Sequence, residues 1–202
     1  MNDSRVPDTR LSEGLVTQAG RAVSAAFTIG VLIVVMWGLE FADYMMSGEL
    51  DHYGIQARNV DDLPQIFSAP FLHGGFGHLM ANTVPFAVLG FLAAVRGFAK
   101  FVAANLLIIV VGGLGIWFIA PPGSETLGAS ILVFGYFGYL VGRGLFERHL
   151  ADIAIALVVV VLYGTTMLLG LVPGDQGISW QGHLFGLVGG IVAAWVLRRR
   201  RG

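Results

Sequence analysis

Charged residues cut this chain into long uncharged apolar runs, and that pattern limits the fold more than any other feature. The runs cover residues 22–39, 63–95, 101–124, 126–142, 153–174 and 176–197. A hydrocarbon core of ~30 Å takes roughly 20 apolar residues as a helix, so the pattern predicts six spans. The second run is too long for one span, and its helix is expected to start near His73 or Gly77. Only 12% of residues are charged, against about 25% in soluble domains. A water-facing surface cannot be built from so few charges. Gly accounts for 29 of 202 residues, and these glycines sit inside apolar runs, where small residues let helix backbones approach closely. Cys is absent, which excludes disulfides, a thiol nucleophile and thiolate metal ligands.

The cations set an orientation. With the N-terminus inside, Arg5, Arg10, Arg21, Arg96, Lys100, Arg143, Arg148 and the four arginines 198–201 all fall on the cytoplasmic side. Arg58 alone falls outside. That asymmetry follows the positive-inside rule and predicts cytoplasmic N- and C-termini. The acids Glu40, Asp43, Glu49, Asp51, Asp61, Asp62, Glu125 and Asp175 fall outside. The expected organisation is a cytoplasmic segment 1–21, a membrane domain 22–198 with a long external loop at about 40–72, and a basic tail 199–202. The polar first twenty residues and the length of the first apolar run do not read as a cleaved signal peptide.

Polar side chains inside a span are costly and mark function by default. His78, Asn82, Ser130 and His183 are the exceptions here. Asn82 lies 14 residues before Arg96, Ser130 13 before Arg143, and His183 15 before Arg198. At 1.5 Å per residue these become about 21, 20 and 22 Å above the inner boundary. Three helices therefore place polar groups at one shallow outer level. His78 sits one turn above Asn82 on the same face.

Ser needs a base to become a nucleophile, and His is the usual one. His78, Asn82 and the Ser130 backbone N–H can donate to a tetrahedral oxyanion. No acid lies at this depth to orient His183, so the expected unit is a Ser–His dyad. Gly182, Gly186 and Gly190 on the sixth span, with Gly138 and Gly142 on the fourth, form small-residue faces that could bring Ser130 to His183. No carboxylate accompanies His78 and His183, so no metal and no cofactor is expected. His52 and His149 read as solvated, and Asp175 as a topology anchor, with a role in orienting His183 as the alternative. Arginines 198–201 read as a topology signal with a lipid contact, not as a nucleic-acid site.

With these residues in place, the chain resembles the rhomboid family of intramembrane serine proteases. His73-Gly-Gly-Phe-Gly-His78-Leu-Met-Ala-Asn82 is similar to the family's H-x4-H-x3-N. Gly128-Ala129-Ser130 is similar to the start of G-x-S-G, and His183-Leu-Phe-Gly186-Leu-Val-Gly-Gly190 to H-x2-G-x3-G. The three motifs stand in family order on the second, fourth and sixth spans. The resemblance implies an all-α, six-transmembrane-helix rhomboid-like bundle with Ser130 as nucleophile and His183 as general base. It puts His78 and Asn82 with the Ser130 backbone in the oxyanion hole. It makes His73 a structural or water-organising residue and Phe134 an aromatic packed on the catalytic His. Gly128, Gly186 and Gly190 are supporting residues.

One position departs from the pattern. Ile131 follows the serine where the family usually has Gly, and a β-branched side chain there is expected to crowd the oxyanion hole. The implied reaction is hydrolysis of peptide bonds in or beside transmembrane segments of membrane-protein substrates. Lateral entry beside the fifth span and a prokaryotic plasma membrane are expected, and the oligomeric state is left open. The alternative is an inactive rhomboid-like protein that binds membrane segments. A transporter or channel is disfavoured, because its polar groups would be spread through the membrane depth.

Overall fold

The computed structural model describes residues 9–174 and 179–198. The expectations placed on Arg5, Asp175, Arg199, Arg200 and Arg201 lie outside the described residues. Six long helices follow one another: α1 (Thr9–Met45), α2 (Phe76–Ala94), α3 (Phe98–Ile119), α4 (Ser130–Glu147), α5 (Leu150–Gly170) and α6 (Trp180–Val196). By length and composition four are able to cross a membrane: α1 from Glu13, α2, α3 and α5. The other two have a different environment. Here α4 is buried along almost its whole length, and it packs directly on the 17-residue α6. A helix shielded by protein does not need a long unbroken apolar surface, because its neighbours supply the low-polarity surroundings.

Gly makes the α4–α6 contact possible. A methyl group added at Gly190 would lie 1.9 Å from the Gly135 carbonyl oxygen. One at Gly186 would lie 2.4 Å from the Ile131 carbonyl oxygen, and one at Gly138 2.4 Å from that of Leu187. The two backbones thus touch directly over about two turns of α4. On the other side of α6, Gly115 of α3 receives the Phe185 ring, and Gly189 lies against the Ile108 backbone. So α6 is held between α3 and α4.

The segment between α1 and α2 is folded rather than loose. Asp43 accepts from the Leu50 N–H at 2.7 Å and turns the chain back after α1. A short strand β1 (Ile55–Gln56) then pairs antiparallel with β2 (Glu125–Thr126), with Ile55 opposite Thr126. Trp117 of α3 donates its indole N–H to the Asn59 carbonyl at 2.8 Å. Ile66 fills the space over Gly113, and the buried Ala69 accepts from the Gly128 N–H at 2.9 Å. These ties fix the stretch that leads into α4, which matters because α4 begins at Ser130.

The opposite end is tied by charge. Asp152, in the first turn of α5, accepts from Arg143 of α4 and from Arg96 after α2. Both Asp152 and Arg143 are buried, where an unpaired charge would be expensive. The fifth helix therefore starts earlier than the uncharged run and includes one acid.

Because the α4–α6 contact leaves no room for a side chain, Gly190→Ala should cost about 1–3 kcal/mol by forcing the backbones apart. Thermal or denaturant unfolding of the purified chain in detergent would measure the loss. Ala in place of Gly38, which has open space around it, should cause no comparable loss.

Candidate active site

The site lies where the start of α4 meets the start of α6 and the end of α5. Ser130 is the first residue of α4, and no side chain caps that helix. The first N–H groups of a helix lack intrahelical acceptors, so the Ser130 N–H is free to donate to a ligand. The helix dipole adds positive potential at the same point.

His73 and His78 shape the approach to this terminus. Ala129 donates its N–H to His73 Nε2 at 3.2 Å, which fixes the residue before the serine. That bond requires Nε2 to be unprotonated and leaves the proton on Nδ1, which is buried. The His78 ring lies edge-on to His73, with centroids 5.2 Å apart. It also rests on Gly128, where a methyl group would come within 2.6 Å of His78 Cε1. Gly128 has φ +127° as well, a backbone conformation that L side chains rarely adopt. Space and backbone therefore both require Gly there. Asn82 is buried and donates to the His78 carbonyl at 3.1 Å, and its amide has a second N–H.

His183 stands on the facing side. It lies one turn before Gly186, whose Cα faces the Ile131 backbone, so it sits level with Ser130. Its ring stacks on Phe134, one turn after Ser130, with centroids 4.0 Å apart and planes 5° from parallel. The other contact is at Nδ1, which is 2.7 Å from the Gly170 carbonyl oxygen. A carbonyl can only accept, so Nδ1 carries the proton and Nε2 presents its lone pair. Among the described residues the Ser130 hydroxyl and the imidazole are not in hydrogen-bond contact. Catalytic hydrogen bonds are often long without substrate and tighten when it binds.

Ile131 does not face the groups expected to donate to an oxyanion. One position further along a helix turns the side chain by about 100°, and Ile131 points into the core against Gly112 and Gly182. The bulk expected to crowd the oxyanion hole is taken up by two glycines on α3 and α6. The Gly170 carbonyl was not legible as a site group, because a backbone acceptor has no residue-type signature. The only signal was a Gly near the end of an apolar run, which reads as a helix stop.

A fold of this kind, with a Ser at a helix start beside a stacked His, defines a helical membrane-protein class with three interlocking motifs. The Rhomboid domain model matches residues 61–200. An uncharacterized protein of Mycobacterium tuberculosis is 42% identical over 189 residues, covering 90% of this chain and 78% of that one. One of Mycobacterium leprae is 38% identical over 178 residues, covering 84% and 70%. Rhomboid-like protease 5 of Toxoplasma gondii is 30% identical over 142 residues, covering 68% of this chain and 16% of that much longer one. The chain belongs to the rhomboid family.

Burial lowers the pKa of His73 from 6.5 to about 4. The nearby His78 acts in the same direction, and the Phe71 backbone opposes it. The native state holds His73 neutral, whereas the unfolded chain takes up a proton near pH 6.5. Stability is therefore complete above pH 6.5 and falls as the pH drops toward 4, by up to about 3 kcal/mol from this residue. His73→Gln, which keeps an acceptor for Ala129, should lose that part of the pH dependence. Unfolding midpoints between pH 7 and pH 4 would measure it.

Proposed function

We propose that the chain is an intramembrane serine endopeptidase that cuts membrane proteins in or next to their transmembrane segments. The observation that carries this reading is His183. It is stacked on Phe134 one turn from Ser130, with Nδ1 tied to a carbonyl and Nε2 left as the acceptor. In the reaction, Nε2 takes the Ser130 proton as Oγ attacks the scissile carbonyl carbon. The negative charge on the carbonyl oxygen is met by the Ser130 N–H, His78 and Asn82. His183 then gives its proton to the leaving amine, and an acyl-enzyme remains. Water, deprotonated by the same Nε2, attacks the ester and releases Ser130.

A substrate helix hides its carbonyls in hydrogen bonds, so cleavage is expected where helix-weakening residues expose one. Small side chains at the cut are expected from the family resemblance. Lateral entry beside α5 fits its long, mostly exposed apolar surface. The proposed topology has six spans, with both termini on the cytoplasmic side of a prokaryotic plasma membrane. The segment 1–21 and the tail 199–202 lie on that cytoplasmic side.

A second reading is a non-catalytic family member that binds membrane segments. The absence of a direct hydrogen bond between Ser130 and His183 favours it. A fluorophosphonate probe separates the two. Labelling of the wild type that disappears in Ser130→Ala supports the enzyme. Ser130→Ala and His183→Ala should each lower cleavage of a single-span substrate by about 10³-fold or more, with unchanged expression. Cleavage that survives Ser130→Ala would refute the protease reading.

The topology is tested separately. A reporter active only in the cytoplasm should report when fused after Gly202 and be silent when inserted between β1 and α2.

A further inference from the structure

The protease reading leaves open what orients its base, since among the described residues no acid contacts His183. We infer that Gly170, at the outer end of α5, is the positioning residue for His183, through its main-chain carbonyl. This inference rests on that reading and assigns to backbone a task that a side-chain carboxylate performs in Ser–His–Asp triads.

The helix end supplies the acceptor. At its close, Leu171 donates its N–H to the Leu168 carbonyl at 3.2 Å, and Val172 donates to the Leu169 carbonyl at 3.1 Å. The last carbonyls of a helix have no intrahelical partner. The one at Gly170 points to His183 Nδ1, at 2.7 Å. It also brings the negative pole of the α5 dipole to the imidazole, which favours the imidazolium formed when the base takes a proton.

The residue type is required as well. A methyl group at 170 would lie 2.6 Å from Phe134 Cζ and 3.0 Å from His183 Nδ1. It would push apart the stacked pair and the acceptor together. Seating is also specific. Asp152, Val159, Met167 and Gly170 recur at spacings that keep them on one stripe of α5. The first three are the buried residues of that helix. The carbonyl is therefore delivered by the same face that docks α5 on α4.

The test uses the full chain in detergent, labelled with 15N at histidine. The His183 signals are identified by their loss in His183→Ala. In wild type the neutral imidazole should be protonated at Nδ1. In Gly170→Ala a second population protonated at Nε2 should appear, and kcat on a single-span substrate should fall about 10²-fold with KM unchanged. Leu169→Ala, at an exposed neighbouring position, should change neither.

A wild-type His183 protonated at Nε2 overturns the proposal whether or not the variant folds. So does a Gly170→Ala chain that keeps both the tautomer and kcat. If wild type shows the Nδ1–H form but neither cleaves nor takes up the fluorophosphonate, the protease reading fails, and the catalytic role of Gly170 falls with it. If wild type cleaves normally with the other tautomer, the protease reading stands and the role of Gly170 is refuted.

Discussion

The direct contact between the α4 and α6 backbones is the constraint on which the site depends. Gly186 and Gly190 meet the carbonyls of Ile131 and Gly135, and Gly138 meets that of Leu187. Apolar side chains could join two helices in lipid, but they would hold the axes 8–10 Å apart. Ser and His side chains are short, so facing helices at that spacing would leave them separated. Removing the Cβ atoms brings the two helices that carry Ser130 and His183 into direct contact and fixes their register. Gly128 performs a similar task beside them, since its missing side chain is the space that His78 occupies.

A second level of organisation is electrostatic. The helix bearing Ser130 begins at the site, whereas the helix bearing Gly170 ends there. The dipole of α4 offers positive potential where an oxyanion would form, and that of α5 offers negative potential beside the imidazole. The two charges that the proposed acyl-transfer step would generate fall at the poles of two helices. No ionised side chain has to be buried for this. That is economical in a membrane, where an uncompensated carboxylate is costly.

Much of this was legible in the sequence because lipid makes chemistry conspicuous. Among long apolar runs, His78, Asn82, Ser130 and His183 stood out, and their distances from the flanking arginines placed them at one level. Glycine spacing on the fourth and sixth runs pointed to close contact. Three features were not legible. The direction of Ile131 depended on the helix starting exactly one residue earlier, and a boundary shift of one residue turns a side chain by about 100°. The β1–β2 pairing joins residues 55 and 126, too far apart for any local pattern to link them. The Gly170 carbonyl is main chain, so composition carries no trace of it. Asp152 is conspicuous in the sequence as a charge that ends an apolar run, and only the fold makes it the buried partner of Arg96 and Arg143.

That buried charge has a mechanical consequence. The tie from Asp152 to Arg143 and Arg96 pins one end of α5, whereas the other end meets the imidazole through a single carbonyl. The 18 residues between those points make a lever of about 27 Å. Swinging such a rod by about 5° around its pinned foot carries its tip about 2.4 Å sideways, nearly the length of a hydrogen bond. A small rocking of one lipid-facing rod would therefore be converted at its tip into a break in a proton-holding contact.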